Sequence, residues 1–358
     1  MRKMMAWLLA ALMLMSTGAM AEGMVPEGYQ EGQPLPVYSA VHRSEEEAAF
    51  FDKAAPELFQ DGEYTYQNGS KRSRYDIFTF KDQARLTVDN EYVCYQEYDG
   101  EFRMIYGDEP DKPSEPFPRP SFGTEVGRMA YDAMAKARYG EGEVPALEKT
   151  ELAKITLAQA DETVRGLLSA IGEDGYELTL AVDMDADRIR EMGQAYVAHH
   201  QTMYNVYDRY YDFSLATEAD EGYFLQYTPF KNGVPLGDPD SIVEACAFVN
   251  QSGVVMFELR DFYAIGGEKY TPEKLLTSEE IAACFERDNP RRIRDGFLDP
   301  ELTSVKLMYC PMRAENKKDG MIMAPAWYVT YDFTDGSRRD GWAWYSALDG
   351  KLIMDCYS

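Results

Sequence analysis

The feature that most constrains this chain is the alternation of aromatic and branched residues with polar ones near its C-terminus. In residues 324–333, APAWYVTYDF, the side chains of Trp327, Val329 and Tyr331 fall on one side of an extended strand. The next run, GWAWYSALDG, repeats the alternation and ends in Asp349-Gly350. A period of two indicates strands with one buried face, and an Asp-Gly pair is typical of a tight hairpin turn. The end of the chain therefore predicts a small antiparallel sheet.

Strand runs of this kind follow a helix twice along the chain. The first helix has Thr156 as its N-cap and Gly172 as its stop, and the second begins at Ser278. Strands are predicted at 176–182, 222–230, 242–250 and 254–262 after the first helix, and at 302–313, 321–333, 341–347 and 351–354 after the second. We therefore predict an α+β fold that contains two helix-plus-antiparallel-sheet units, residues 151–270 and 271–358.

The N-terminal part is organised differently. Aromatic and branched residues alternate with polar ones around turns such as Asn68-Gly69, which predicts an antiparallel β-meander. The stretch PDKPSEPFPRP follows, and its five prolines predict a stiff linker that is neither strand nor helix. The predicted segments are a signal peptide at 1–21, a leader with a short helix at 22–62, the meander at 63–108, the linker at 109–122, and a helix with its connector at 123–150.

The first residues have the pattern of a secretory signal peptide. Arg2 and Lys3 precede an apolar run at residues 4–15 that is short for a membrane span, and Ala19-Met20-Ala21 supplies the small residues of a cleavage site. No cysteine follows this run, so a lipobox is not predicted. We expect cleavage after Ala21 and a secreted, extracellular protein without a membrane span.

The charge balance argues against two classes of partner. The chain has 36 Lys and Arg against 62 Asp and Glu, which gives a net charge of −26. Nucleic acids and anionic lipid surfaces repel such a polyanion, so neither is expected to bind. Phosphate-loop and dinucleotide motifs are also absent, and no cofactor is predicted.

One acidic motif is a candidate cation site. The stretch DMDAD places Asp183, Asp185 and Asp187 at the spacing with which a calcium loop begins. The motif then departs from that pattern, because Arg188 occupies the position of the required Gly and Gln194 that of the required Glu. Calcium stays an alternative, and capping of the following helix by Asp185 or Asp187 is the preferred interpretation.

His199 and His200 are the other candidate metal ligands. They fall on a predicted helix over residues 185–204, and Glu191 lies about two turns before His199 on the same side. The spacings HExxH and HxxxH are absent. A metal site centred on His199 would therefore need further ligands from elsewhere, and a packed or surface histidine pair is the preferred interpretation.

Nucleophilic catalysis has little support in the sequence. The motifs GxSxG and SxxK are absent, and no cysteine lies in a protease motif, so no catalytic residue is predicted. The five cysteines are an odd number and lack a CxxC spacing, so their pairing is not fixed by the sequence. Cys310 and Cys356 are the pair to test for a disulfide, and the others are Cys94, Cys246 and Cys284.

Aromatic residues are in excess, with 26 tyrosines in the chain. Outside a cell, exposed rings can stack on sugars or peptides. Sheets are also built from Tyr, Phe and Trp, so packing is the preferred interpretation. The candidate binding residues are Tyr204, Tyr207, Tyr210, Tyr211, Trp327, Trp342 and Trp344.

Residues 150–358 resemble PepSY-like modules and Yyc-type extracytoplasmic regulators, and they are similar to secreted proteins of Gram-positive bacteria. The terminal hairpin of such modules, WxV followed by ldGk, is matched by Trp327, Val329, Asp349, Gly350 and Lys351. The resemblance implies helices packed on short antiparallel sheets. It also implies a protein that binds and regulates, with an extended segment of an envelope or secreted protein partner added to an exposed strand edge.

Three functions are open at this level. The preferred one is a secreted, non-enzymatic binding or regulatory protein. The alternatives are an extracellular hydrolase that uses carboxylates or a metal at His199, and a carbohydrate-binding module with exposed aromatic residues.

Overall fold

The computed structural model describes residues 26, 29–42, 58, 65–68, 76–80, 84–88, 92–103, 116–138, 143, 145–204, 212–237, 243–260, 263–294, 300–314, 320–333 and 340–357. In these ranges the chain forms helices and two antiparallel sheets, which confirms the predicted α+β class. None of the helices in the described ranges is long and apolar enough to cross a membrane.

The helices are α1 (Phe122–Arg138), α2 (Leu157–Ala170), α3 (Ala186–Tyr204) and α4 (Ser278–Arg294), with a 3-10 turn at Phe213–Leu215. The strands are β1 (Val37–His42), β2 (Thr65–Asn68), β3 (Asp76–Phe80), β4 (Ala84–Val88), β5 (Tyr92–Arg103), β6 (Pro116–Pro120), β7 (Tyr176–Met184), β8 (Gly222–Lys231), β9 (Val234–Pro235), β10 (Glu244–Asn250), β11 (Gly253–Arg260), β12 (Tyr263–Tyr270), β13 (Pro300–Arg313), β14 (Met321–Phe333), β15 (Asp340–Ser346) and β16 (Leu352–Tyr357).

The chain divides into two compact units, each assembled from separated stretches. Unit 1 consists of Met1–His42, Pro229–Val243 and Tyr263–Ser358, and unit 2 of Arg43–Thr228 and Glu244–Phe262. The predicted division at residue 270 differs from this one, because β12 belongs to unit 1 together with the strands that follow it.

Unit 2 is built on the sheet with strand order β2-β3-β4-β5-β11-β10-β8-β7. Strand β6 is added to β5, and β9 pairs with the last residues of β8, which belong to unit 1. Strands β2 to β5 pair consecutively as antiparallel neighbours, and they lie in the segment for which the sequence predicts a meander.

Helices cover both faces of the unit 2 sheet. On one face, α2 buries Val164 and Leu168 in a cluster with strand residues such as Phe257. On the other face, α1 and α3 contribute to a cluster that includes Phe248 and Met256. Successive residues of a strand point to opposite faces, so the apolar runs of β8 and β10 supply both clusters at once.

The ends of α2 follow directly from its sequence. The Thr156 hydroxyl accepts a hydrogen bond from the Gln159 N–H at 3.2 Å, and the Gln159 side chain accepts one from the Thr156 N–H at 2.9 Å. This reciprocal pair is a capping box. At the other end, Gly172 has a φ of 86°, a left-handed conformation that favours glycine and stops the helix as predicted.

The proline-rich stretch differs from its prediction. Pro116–Pro120 forms strand β6, which pairs with β5 through the Phe102–Phe117 and Glu101–Pro118 positions. Within the described residues β6 has no second neighbour, so its prolines lie on an edge strand where an outward N–H is not required. The expectation that residues 109–122 contain no strand is therefore wrong for these five residues.

Unit 1 is built on a six-stranded sheet with the order β12-β1-β14-β15-β16 and with β13 on the other side of β14. Strand β1 comes from the predicted leader and pairs with both β12 and β14. Helix α4 covers one face of this sheet and buries Ile281 and Phe285 against Trp327, Val329 and other strand residues. The predicted alternation of the C-terminal run is confirmed, because this core holds one side of β14.

Candidate functional site

The side of the unit 1 sheet that lies away from α4 carries polar and aromatic side chains that the α4 core does not use. Among the described residues, the two apolar clusters on this side contain no helical residue. We call this surface the helix-free face and define it by Ser304, Lys306, Tyr328, Thr330, Trp342 and Trp344.

Three aromatic rings on the helix-free face form a continuous strip. Tyr328 lies directly across the strands from Trp344, and Trp342 precedes Trp344 by two residues on the same strand. The ring centroid of Tyr328 is 6.3 Å from that of Trp342 and 5.1 Å from that of Trp344. Such spacings are those of interacting aromatic pairs, so the rings hold one another in place. We call these three residues the aromatic strip.

The aromatic strip is accessible at one end and covered at the other. Trp344 is only 3% exposed, and a Cβ atom built on Gly237 would lie 2.6 Å from its ring, so the chain passes close over it. Trp342 and Tyr328 are half-buried. The rings of Trp342 and Tyr328 are therefore the part of the strip that a ligand could reach.

Hydroxyl groups line the same face beside Trp342. Thr330 is the direct cross-strand neighbour of both Ser304 and Trp342. Its hydroxyl lies 2.6 Å from the Ser304 hydroxyl and 2.8 Å from the Thr303 hydroxyl. Strand register is irregular between Leu302 and Ser304, which is consistent with two successive hydroxyls reaching one threonine.

Lys306 is the unusual residue of this face. It lies directly opposite Tyr328 on the neighbouring strand and is half-buried. In the described part of the chain it has no hydrogen bond, no ion pair and no ring contact. Burial lowers the pKa of its ammonium group, and no neighbouring charge opposes that shift. A half-buried charge without a partner is costly, and such groups occur preferentially at functional sites.

The predicted aromatic binding residues have different surroundings. Trp327 is fully buried in the α4 core, and its indole N–H donates a hydrogen bond to the Leu276 carbonyl at 3.0 Å. Tyr204 is the last residue of α3, and its side chain lies outside the described part of the structure, as do Tyr207, Tyr210 and Tyr211 entirely. The structure thus brings together Trp342 and Trp344 from the predicted set.

The aspartates of DMDAD are paired with cations of the chain itself. Asp183 is buried and forms an ion pair with Arg188 at 2.9 Å. Asp185 caps α3 by accepting a hydrogen bond from the Arg188 N–H at 2.7 Å, and it also pairs with Lys149. Burial would raise the pKa of Asp185, but the hydrogen bonds from Lys149 and the Arg188 N–H outweigh it and lower the pKa.

The remaining metal candidates do not converge in the described residues. Asp187 pairs with Arg190, and Glu191 is exposed on α3. His199 and His200 lie on the same helix, but their side chains fall outside the described part. Among the described residues, no group of three or more His, Cys, Asp or Glu is arranged to hold a metal ion.

A second polar group lies in unit 2, on the side of its sheet that faces α1. Cys94, Glu258, Cys246 and Gln226 are successive cross-strand neighbours on four strands. Burial and the carboxylate of Glu258 raise the pKa of the Cys94 thiol. A thiol held in its neutral form is a poor nucleophile, so this row does not favour cysteine catalysis.

All five cysteines are free in the structure. Cys310 lies opposite Ala324, whereas Cys356 lies in the cross-strand row that contains Thr330. Six residues of β14 separate these two positions, which corresponds to about 20 Å along a strand. A disulfide requires Cα atoms within about 7 Å, so Cys310 and Cys356 cannot be joined in this fold.

Comparisons with known proteins show the fold and no family. No protein-family model matches the sequence, and no curated protein matches it. The crystal structure of an uncharacterized protein from Eubacterium rectale superimposes with a TM-score of 0.53 at 11% identity, covering 93% of this chain and 89% of that chain. The C-terminal domain of Bacillus megaterium YpeB gives a TM-score of 0.31 at 9% identity, covering 87% of this chain and 96% of that one.

Sequence reasoning missed Lys306. The signal is weak but present, since Lys306 is the single charged residue in the run SVKLMYCPM of a strand that otherwise alternates hydroxyl, apolar and aromatic residues. Lys306 shares its side of the strand with Ser304, Met308 and Cys310, so it is a charge within an otherwise uncharged stretch of that strand.

Proposed function

We propose that this chain is an exported, non-enzymatic binding protein and that the helix-free face of unit 1 receives its ligand. The observation that carries the proposal is the half-buried Lys306 beside the aromatic strip, for which the described residues supply no partner. Lysines that serve only solubility are mostly exposed, and buried ones are usually paired. Export is supported by the signal-peptide pattern at residues 1–21.

The chemistry of the helix-free face suits recognition by side chains. Strands β14 and β15 are hydrogen-bonded to neighbours on both sides, so their backbone groups are already used. The six residues that define the face therefore offer ring surfaces, hydroxyl groups and one ammonium group, and the exposed Asp332 follows Thr330 by two residues on the same side of β14. These groups can bind and orient a ligand.

A protein partner is a second candidate, favoured by strand β12. Among the described strands, β12 pairs only with β1, and its residues 266–270 are all exposed. An extended segment of another protein could add to this edge, as expected from the resemblance to PepSY-like modules. Gly266, Gly267 and Lys269 weaken the edge as a template, because glycine and exposed lysine disfavour strand addition.

Tryptophan fluorescence tests the proposal because two of the chain's four tryptophans, Trp342 and Trp344, lie on the helix-free face. The chain without residues 1–21 would be screened on saccharide and peptide arrays, and each ligand retained would then be titrated. We expect Trp342→Ala to weaken binding by about two- to tenfold, since stacking on one ring contributes about 0.5–1.5 kcal/mol.

The control for this test is Tyr270→Ala, which removes a 48% exposed ring from β12 of the same unit. It should leave binding at the helix-free face unchanged. If Trp342→Ala binds as tightly as the unmodified chain while Tyr270→Ala does not, the ligand lies on the β12 edge and the proposal is wrong.

A further inference from the structure

Lys306 is an anomaly in a chain with so many acids. The sequence contains 62 Asp and Glu. Exposed lysines of unit 1 form ion pairs with such acids, as Lys274 does with Glu280 and Lys351 with Asp349. Among the described residues, Lys306 has no such partner. Its backbone is also held in place, because β13 is paired with β14 in regular register from Ser304 to Arg313.

Neighbouring groups on the helix-free face do not compensate this charge. The hydroxyls of Ser304 and Thr330 bond to each other at 2.6 Å, and Tyr328 packs against both tryptophans. An ammonium group has three donors and no acceptor, so it needs oxygen atoms that the described residues do not supply. The described residues therefore leave room for an anion or a set of oxygens supplied by a ligand.

We propose that Lys306 binds the carboxylate of an acidic saccharide whose sugar ring stacks on Trp342 and Tyr328. This inference rests on the proposed function and specifies its ligand. The carboxylate supplies the negative oxygens that the ammonium lacks, and the sugar hydroxyls can exchange hydrogen bonds with Ser304 and Thr330. Lys306 and Tyr328 are direct cross-strand neighbours, so a single sugar residue can reach both groups.

A saccharide fits the face better than a peptide. A peptide bound to a sheet gains most from backbone pairing, and β14 and β15 have no free backbone edge. Sugar rings need flat aromatic surfaces and hydroxyl partners, and both are present within one cross-strand row of Trp342. The two half-buried rings of the strip therefore match a sugar face more closely than an extended chain.

The charge of the whole chain limits the ligand to few carboxylates. With a net charge of −26, the protein repels a polyanion at long range. Salt at physiological strength screens that repulsion beyond about 8 Å, whereas a contact between a half-buried ammonium and one carboxylate is screened much less. We therefore expect a saccharide with one acidic sugar to bind better than a homopolymer of acidic sugars.

The test is an array of saccharides that each carry one uronic, sialic or muramic acid, with every member beside its carboxyl-reduced counterpart. The unmodified chain should retain at least one acidic member and bind the reduced counterpart about tenfold more weakly or not at all, as expected for a charge-assisted hydrogen bond. Equal binding of an acidic member and its reduced counterpart would overturn the assignment of the carboxylate to Lys306.

Two variants of Lys306 separate charge from folding. Lys306→Met keeps the length of the side chain without its charge, and we expect it to lose the preference for the acidic member. Lys306→Arg keeps the charge and should retain a preference for it. Lys274→Met, at a 70% exposed position of the same unit, is the matched control and should bind like the unmodified chain. An unchanged preference in Lys306→Met would overturn the proposal.

The outcomes also distinguish this inference from the proposed function. If a ligand binds in a manner that depends on Trp342 and not on Lys306, the helix-free face is the binding surface but the ligand is not held by a carboxylate. If no ligand depends on Trp342, both proposals are wrong. Retention of homopolymers of acidic sugars in preference to singly acidic members would contradict the charge argument.

Discussion

At the scale of single residues, burial without a partner sets Lys306 apart from the acids that the sequence singled out. Asp183 and Asp185 are paired with Arg188 and Lys149, so their charges are compensated within the fold. The motif DMDAD and the Arg188 that follows it were visible in the sequence, but the pairing of Asp185 with Lys149, 36 residues earlier, was not. The sequence could not single out Lys306, because only the structure shows that the described residues supply no partner for it.

Lys306→Met is expected to stabilise the protein near neutral pH by roughly 1 kcal/mol, because it removes an unpaired desolvated charge. Burial lowers the pKa of Lys306 in the folded state, so the unfolded state binds more protons between that lowered pKa and the ordinary value near 10.4. The free energy of unfolding of the unmodified chain therefore rises with pH through this window. The advantage of Lys306→Met should shrink there.

The measurement is a denaturant titration of both proteins at pH 7 and at pH 10. Lys274→Met serves again as the control and should change the free energy of unfolding by less than about 1 kcal/mol, since it removes only a surface ion pair. A variant Lys306→Met that is less stable than the unmodified chain at pH 7 would mean that the ammonium has a stabilising partner.

At the scale of elements, local sequence signals predicted most helices and strands, and their exceptions have physical reasons. The capping box of α2 and the alternation in β14 were predictable because each depends on residues close in sequence. The prolines of β6 argued against a strand, yet an edge position removes the cost of a missing donor. Strand β1, VYSAVH, alternates only briefly, and its two neighbours come from far along the chain.

Two helical glycines offer a matched prediction for unit 2. A Cβ atom at Gly166 of α2 would meet no atom within 4 Å, whereas a Cβ atom at Gly193 of α3 would overlap the side chain of Phe213. Gly166→Ala should stabilise the protein by about 0.5–1 kcal/mol through the helix propensity of alanine. Gly193→Ala should destabilise it by about 1–3 kcal/mol through overpacking. Thermal unfolding of the two variants checks the opposite signs, and a shift of the same sign in both would contradict the packing described around Phe213.

At the scale of the whole molecule, the chain returns to each unit after leaving it, and this is what the sequence could not predict. Unit 1 takes its strands from both ends of the chain and from Pro229–Val243, so no single cut in the sequence separates the two units. Helix-and-strand order suggested contiguous units, since each helix is followed by strands of its own sheet. The assignment of β1 and β12 to the second sheet depends on pairings that span more than 200 residues.

Strand β1 is therefore expected to be essential for unit 1 although it lies near the N-terminus. It pairs with β12 and β14 at once, and both Val37 and Ala40 are buried.

A chain that starts at residue 43 would leave N–H and C=O groups of β12 and β14 without partners. It would also expose apolar side chains, and each large one contributes about 1.5–3 kcal/mol when buried. A chain that starts at residue 26 keeps all of these contacts and is the control. We expect only the shorter chain to show red-shifted tryptophan emission and loss of near-ultraviolet circular dichroism, because the core around Trp327 opens. A synthetic peptide of residues 29–42 should restore both signals. Native emission from the chain that starts at residue 43 would mean that unit 1 holds its core without its N-terminal strand.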